Sequence, residues 1–587
     1  MQRIDKGKRG KEDRETAPFA EQGHAGRRQK RGNAMIETSV LIVGAGPVGL
    51  CLAMDLAMRG IAVTIAETRP AHEPPSVKCN HISSRTMEIL RRLGLSREVR
   101  AAGLPDDYPN DIVFRPTASR PAFQRITIPC RRDRFTATDS PDSWWPTAEP
   151  PHRVNQIFFE PILSRRAAEH PGINILNRTQ IDGYRQDEDG VTAYGRSLDG
   201  GAPVEIRADY LIGCDGGRSI IRKAIGATLH GDAVIQRVQS TYFRAPDLID
   251  RIPGPQGWWT YLYHPARAGS LVAIDGRERW LLHNYLLRDE GGFDEVDRDA
   301  CLRMLLGVGA DFDYEILSNE DWIGRRLVAD KFRDRRVFIC GDSAHLWVPY
   351  AGYGMNAGIA DAMNLSWLLA ARLHGWGGDA ILDAYEAERL PITEQVSRFA
   401  MSHAEKAIAE RTSIPPEFLD DDAAGEAARA MIGEEAWHLH VQQFACAGLN
   451  YGYFYDASPL IIYDGEAPPA YTMYDYTPST VPGCRLPHFM LADGRSLYDA
   501  LGDEFTLIRF DPTVDVAPML TAAKARNVPV QLLDVATSGE AVPTACRHAL
   551  LLSRPDQHIC WRGNAMPMNA GGVIDRISGR IVNGAAV

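Results

Sequence analysis

The chain's clearest chemical signature is Gly44-Ala45-Gly46-Pro47-Val48-Gly49. A short apolar run, TSVLIV, precedes it, a helical stretch, LCLAMDLAMRG, follows, and a second apolar run, IAVTIAE, ends on Glu67. Strand, glycine turn, helix, strand and acid in that order form a dinucleotide-binding unit. Gly44 permits the tight turn, Gly46 lets a pyrophosphate approach the backbone at the positive end of the helix, and Gly49 lets helix and strand pack closely. Pro47 suits the first helical turn, where its missing N–H leaves nothing unpaired. Glu67 lies 18 residues beyond Gly49 and can accept a hydrogen bond from a ribose hydroxyl.

Three further constellations carry charge next to turn residues. Ser83-Ser84-Arg85-Thr86-Met87-Glu88 opens a helix with serines able to cap it, and places Arg85 in the first turn, where the helix dipole disfavours a cation unless an anion is near. The run YLIGC, a buried strand by composition, ends in Asp215-Gly216-Gly217-Arg218-Ser219. The strand RVFIC ends in Gly341-Asp342-Ser343-Ala344-His345 and continues through Pro349 to Gly352-Tyr353-Gly354-Met355-Asn356, at the head of an amphipathic helix. A glycine-rich loop opening a helix is a second place for backbone N–H groups to meet an electron-rich atom.

Taken in order, GxGxxG, RTMEIL, GCDGGRS, GDSAH and P-x-x-G-x-G-x-N resemble the flavoprotein aromatic hydroxylases, the group A FAD-dependent monooxygenases of the p-hydroxybenzoate and phenol hydroxylase family. The likeness runs from residue 36 to about 410 and is strongest toward the larger members, which end in a thioredoxin-like domain. It implies that Gly44, Gly46, Pro47, Gly49 and Glu67 hold the ADP half of FAD and that Arg85 contacts the diphosphate and ribose. Gln156 would lie beside the ribityl chain, Asp215 would serve FAD and NAD(P)H handling, and Asp342 would bond the ribityl hydroxyls. Pro349, Gly352, Gly354, Met355 and Asn356 would form the flavin-side wall and loop. The implied reaction uses NADH or NADPH and O2, and a flavin C4a-hydroperoxide transfers its distal oxygen to an electron-rich aromatic substrate.

Such a reaction asks for an ionised phenol. With a phenol pKa of about 10, closing the gap to neutrality takes about three pKa units, or about 4 kcal/mol. In the biphenyl and chlorophenol hydroxylases a His-Ile pair carries the proposed base, and here that pair is His81-Ile82, with an ordinary histidine pKa of about 6.5 suited to the task. Tyr242 and Tyr261, with Trp258 and Tyr263, sit in alternating strand-like segments over 234–245 and 257–287, read as the substrate sheet. The same fold could carry epoxidation or Baeyer–Villiger-type insertion into a polyketide, steroid or antibiotic, and a non-catalytic binding module is the remote alternative. The Trp-x-Trp-x-Ile-Pro signature of flavin halogenases is absent.

The resemblance implies an α/β scaffold to position these groups: a three-layer Rossmann-like FAD-binding domain (36–115, 151–230 and 329–400), a segment 116–150, an inserted antiparallel substrate domain (231–328), a helical connector (401–465) and a thioredoxin-like end (466–587), the last with Cys484, Cys546 and Cys560 but no CxxC. With 587 residues there is length for several cores. A net charge of −11 argues against a nucleic-acid partner, and no run reaches about 18 apolar residues, so no membrane span is expected. Ten cysteines without CxxC pairs argue against a disulfide framework or structural zinc and fit the cytoplasm. No metal-ligand spacing is present. The sequence does not settle the oligomeric state, and a homodimer is one assembly it allows. The first 34 residues, with ten Lys or Arg and five Asp or Glu, read as a disordered extension ahead of Met35.

Overall fold

The computed structural model describes residues 35–347, 352–535 and 542–580. The expectations for residues 1–34 and for Pro349 therefore lie outside the described residues.

Apolar β-branched runs form the first sheet, whose strands run in the order Arg333–Asp334, Val337–Ile339, Pro203–Gly213, Ile36–Val43, Val63–Ala66 and Ile173–Leu176. The last five are mutually parallel. Strands Thr179–Gln186 and Val191–Ser197 extend this sheet as an antiparallel pair alongside Pro203–Gly213. Val40, Leu41 and Ile42 are fully or almost fully buried, as strands covered on both faces require. Register puts Val43 opposite both Ala66 and Gly213, and Gly213 opposite Ile339, so four strand ends finish at one level. Helices Pro47–Met58 and Tyr353–Leu373 pack above that edge. A side chain at Gly358 would lie 2.7 Å from Val48 Cγ2 and 2.9 Å from Gly341 Cα, so glycine there lets the second helix press onto the first and onto the Gly341 turn.

The alternating segments form the second sheet, of nine strands. Leu229–Arg244, Arg279–Tyr285, Arg267–Ala273 and Trp259–His264 are successive antiparallel neighbours. One edge is Ile112–Arg115, parallel to Trp259–His264, with Gln124–Ile126 beyond it. This departs from the sequence boundaries: Ile112–Arg115 falls in the range read as FAD-binding, yet its backbone hydrogen bonds and the buried Ile112 and Phe114 belong to the second sheet. The opposite edge joins the first unit directly, with Leu327 opposite Leu346 and Val328 opposite His345. The boundary drawn at 400/401 also falls inside an element, because Asp383–Arg411 is one continuous helix. Helix Ala423–Phe444 follows it.

The C-terminal sheet places Phe505–Arg509 between the parallel strand Val530–Asp534 and the antiparallel Leu550–Ser553, with Ile559–Gly563 outermost. Its core is continuous with that of the first sheet: Trp367 meets Phe505 edge-on at 5.9 Å. Charges cross the same junction. Glu88 receives Arg85 at 2.8 Å, Arg485 and the Thr147 hydroxyl at 2.6 Å; Glu388 receives Arg554 at 2.6 and 2.8 Å. Burial would raise the Glu88 pKa, but Arg485 and Arg85 outweigh it and hold the carboxyl below its usual value.

Breaking a buried pair from one side leaves an uncompensated charge, at a cost of about 3–5 kcal/mol. Glu88→Gln strands two arginines, so its urea midpoint should fall by that equivalent; an unchanged midpoint would show that this network does not hold the C-terminal unit in place.

Candidate active site

At the level edge of the first sheet, Gly44 N–H donates to Ala66 O at 2.9 Å and Cys214 N–H to Val43 O at 2.8 Å. Gly44 has φ +108°, and a Cβ there would lie 2.3 Å from Cys214 O. A Cβ on Gly49 would lie 2.2 Å from Gly44 O. Gly46 differs: a Cβ on it would meet nothing within 4 Å. The helix begins at Pro47 with no side-chain cap and no acid in its first turn, so its positive end faces that open space. Glu67 closes one side. Its Oε2 accepts the Ala45 N–H at 2.7 Å and its Oε1 the Arg69 N–H at 2.9 Å. Burial pushes its pKa up, and the Arg69 hydrogen bonds and charge more than offset this, keeping it ionised. Gln156, at the head of helix Gln156–Glu169, donates from Nε2 to Glu160 Oε2 at 2.7 Å, and its backbone N–H bonds Cys79 O at 2.7 Å.

The two Asp-Gly turns lock to each other. Asp215 Oδ2 accepts the N–H groups of Ile220 and Ile221 at 2.8 and 3.2 Å, while its Oδ1 is buried without a hydrogen-bond partner. Arg222 donates to Ser343 O at 2.9 Å and to Gly217 O at 3.0 Å. His345 and Arg389 both hold Asp361 at 2.7 Å, fixing the second turn against two helices. Asp342 is exposed at this turn, yet the surrounding protein raises its pKa, with His345 and Lys78 only partly opposing.

Gly352, at φ +60°, begins the helix Tyr353–Leu373; a Cβ on it would stand 3.0 Å from His81 Cβ, and one on Gly354 would meet nothing within 4 Å. Asn356 fastens this start to the His81 loop. Its Oδ1 accepts the Ser83 N–H at 2.9 Å and its Nδ2 donates to His81 O at 3.1 Å. Met355 is half-buried against the main core.

Two sequence expectations change here. Arg85 does not face the glycine turn. Its guanidinium is spent on Glu88, Gln557 and Asp556 O, all at the C-terminal junction. The charges acting on Asp342 are those of His345 and then Lys78, an exposed side chain ahead of the same helix. His81, expected to titrate near neutrality, is buried with its Nδ1 accepting from Arg153; burial, then Arg153, then His152 hold its pKa well below 6.5, so it is a neutral acceptor. Arg153 also bonds Asp142 at 3.2 Å and lies 5.2 Å from the Trp258 ring.

The second sheet presents a mainly aromatic face. Tyr261 OH accepts from Gln443 Nε2 at 2.7 Å, and its ring lies 5.3 Å from Phe114 and 4.5 Å from His440. Tyr263 OH donates to Glu410 Oε2 at 2.8 Å. Tyr242 is buried near Arg279, burial raising its phenol pKa against the opposing Arg279 charge. Among the described residues no helix is long and apolar enough to cross a membrane, and no group of three or more His, Cys, Asp or Glu is placed to hold a metal ion.

Comparison with known proteins agrees with this geometry. Residues 37–400 match the family model described as FAD binding domain, and residues 479–580 match aromatic-ring hydroxylase, C-terminal. The chain is 30% identical over 562 residues to the FAD-dependent monooxygenase apdD of Emericella nidulans, covering 90% of this chain and 88% of that one. It is 31% identical over 575 residues to the tetracenomycin B2 monooxygenase-dioxygenase of Streptomyces olivaceus, covering 93% and 99%. The structure of the rebeccamycin biosynthetic enzyme RebC with reduced flavin aligns with TM-score 0.84 at 31% identity, covering 94% and 100%. The residues present fit FAD: open space at Gly46 and Gly354 flanks two uncapped helix starts, and Asp342 is exposed at the turn after the Val337–Ile339 strand.

The raised Asp342 pKa gives a signed prediction. As pH rises from the ordinary carboxylate range through the raised value, ionisation of Asp342 costs the folded, FAD-free protein stability. Asp342→Asn should therefore raise the apo-protein Tm at pH 7, leave it unchanged well below pH 4, and lower FAD retention; a pH-independent Tm difference would contradict this.

Proposed function

The chain belongs to the FAD-dependent aromatic-ring hydroxylases, and from that premise we propose that it uses NAD(P)H and O2 to hydroxylate a phenolic, fused-ring substrate of the aromatic polyketide kind. The observation that carries this reading is the open, glycine-lined cradle joined by one strand pairing to an aromatic sheet face. Bound FAD, reduced by NAD(P)H, supplies the activation of O2 for oxygen transfer. The fused-ring substrate class is supported by relatives such as the tetracenomycin B2 enzyme.

The chain's own residues divide the remaining work. Gly44, Gly46, Pro47 and Gly49 present the open helix start to the diphosphate, with Lys78 supplying the nearby positive charge. Glu67 is ionised and placed for a ribose hydroxyl. Asp342 accepts from the ribityl chain, with Gln156 beside it and Asp215 bracing the adjoining turn. Gly352, Gly354, Met355 and Asn356 offer backbone to the ring system. Arg153 raises the local positive potential and so favours a phenolate, while His81, disfavoured as an imidazolium beside that guanidinium, serves as a neutral hydrogen-bond acceptor. Tyr261, oriented by Gln443, and Tyr242 form part of the substrate-side wall.

The C-terminal unit we read as thioredoxin-like. Its strand order and direction support this, and its cysteines are free and without a CxxC pair, so its role is to brace helix Ser84–Arg92 through Arg485 and Gln557. Ten free cysteines support a reducing cytoplasmic setting.

Turnover under 18O2 with a panel of fused-ring phenols tests the function. At least one phenol should accelerate NAD(P)H oxidation and yield a product carrying one labelled oxygen. Oxidation indifferent to every phenol, or product oxygen derived from water, would overturn it.

A further inference from the structure

We infer that His283, together with Trp259, forms a hydroxyl seat for a fused-ring phenol on the second sheet. This rests on the hydroxylase reading above and names where its substrate is held.

Register fixes the face. His283 stands opposite Ser240 on one neighbouring strand and Ser270 on the other, and Ser270 stands opposite Tyr261. These residues share one side of the sheet. The reverse side is closed. There a Cβ on Gly269 would meet Leu305 Cδ1 at 2.7 Å, Asn284 Nδ2 is spent on Gln239 Oε1 at 2.8 Å, and helix Arg298–Leu306 buries Leu302, Leu305 and Leu306 completely.

On the open side His283 is 7% exposed and held by one hydrogen bond, Nδ1 to Ser240 Oγ at 2.8 Å. Its ring lies 5.8 Å from Trp259 and 6.0 Å from Trp322, both half-buried. The Ser240 bond is at Nδ1 and leaves Nε2 without one, while the indole Nε1–H of Trp259 on the adjoining ring is buried with no hydrogen-bond partner among the described residues. A buried donor left unpaired is costly until a ligand satisfies it. Burial pushes the imidazole pKa down to about 4, so the ring is neutral, and with its proton on Nδ1 toward Ser240 the Nε2 lone pair accepts. An indole N–H donor beside an imidazole acceptor is the complement of one hydroxyl, which accepts once and donates once. The tryptophan rings on either side suit a flat aromatic body.

A relay of contacts runs from the seat to the cradle. Trp259 abuts Trp258 at 5.6 Å, Trp258 lies under Arg153, Arg153 bonds His81, and His81 packs against Gly352.

The test titrates FAD-loaded protein with 1-naphthol and with 1-methoxynaphthalene, which lacks the O–H, following flavin absorbance and tryptophan fluorescence. The wild type should prefer 1-naphthol by about tenfold, one hydrogen bond's worth. His283→Ala should bring the ratio close to one with FAD content unchanged, and His283→Gln, which keeps an acceptor, should restore part of it; Trp259→Phe, which removes a donor that both probe oxygens can use, should weaken both probes several-fold and leave the ratio in place. Should His283→Ala fail to fold, His283→Phe carries the comparison. A wild type that retains FAD yet binds both probes equally, His283→Ala or His283→Phe that keeps the preference, or Trp259→Phe that binds both probes as the wild type does, would overturn the seat. Any of these outcomes while wild type incorporates 18O from O2 would sink the seat and leave the hydroxylase reading intact; wild type without label would sink the latter.

Discussion

At Gly44 the backbone of the first strand's turn passes so near the carbonyl of Cys214 that no side chain fits, and the start of the next helix closes against Gly44 from the other side at Gly49. This three-way backbone contact sets the geometry of everything around it. It holds the parallel strand ends level, which aims the helix start at Pro47 into open space and brings Glu67 within reach of the Ala45 N–H. The second Asp-Gly turn joins at the same level through Cys340 N–H to Gly213 O at 3.0 Å, so Asp342 looks across the same opening. A nucleotide cradle is the consequence of three strand-to-turn transitions being made to coincide.

Charge is distributed around that opening with a clear division. The ion pairs that stabilise the fold lie outside it: Glu88 with Arg85 and Arg485, Glu388 with Arg554, Asp361 with His345 and Arg389. At the opening Glu67 is paired with Arg69, while other groups there and in the adjoining turn are left short of partners: Asp342 is exposed with a raised pKa, Asp215 Oδ1 is buried without a donor, and two helix starts lack caps. Such local costs are characteristic of sites completed by a ligand. The aromatic sheet follows the same pattern, satisfied at the Tyr261 and Tyr263 hydroxyls and left unpaired at the Trp259 indole N–H.

The glycine turn after the first strand, Glu67 at the end of the second, and the Asp215-Gly216 and Gly341-Asp342 turns are legible in the sequence as local structure, because each depends on residues within a few positions. The partners of Arg85 are not legible in this way, because Gln557 and Asp556 lie more than 450 residues away and a cation in a first helical turn gives no hint of which anion it meets. Lys78, a cation just ahead of that helix, is a signal the sequence does carry. The His81 pKa depends on Arg153, which reaches it only through the pairing of Ile82 with His152. Ile112–Arg115 was assigned to the wrong sheet because its parallel partner is formed well over a hundred residues later. His283 was invisible for the same reason, since its face follows from register with Ser240 and Ser270.

Equilibrium binding of FAD to the flavin-free protein, wild type beside Gly46→Leu, tests the cradle most directly. Gly46 sits at φ −73°, where leucine is conformationally acceptable, and its side chain would enter only the open space. The account predicts one FAD retained per wild-type chain, and a loss on the order of a hundredfold in the variant, the equivalent of about two hydrogen bonds to a charged group, with circular dichroism and Tm unchanged. Equal affinity in the two proteins, or a wild type that folds and retains no FAD, would contradict it.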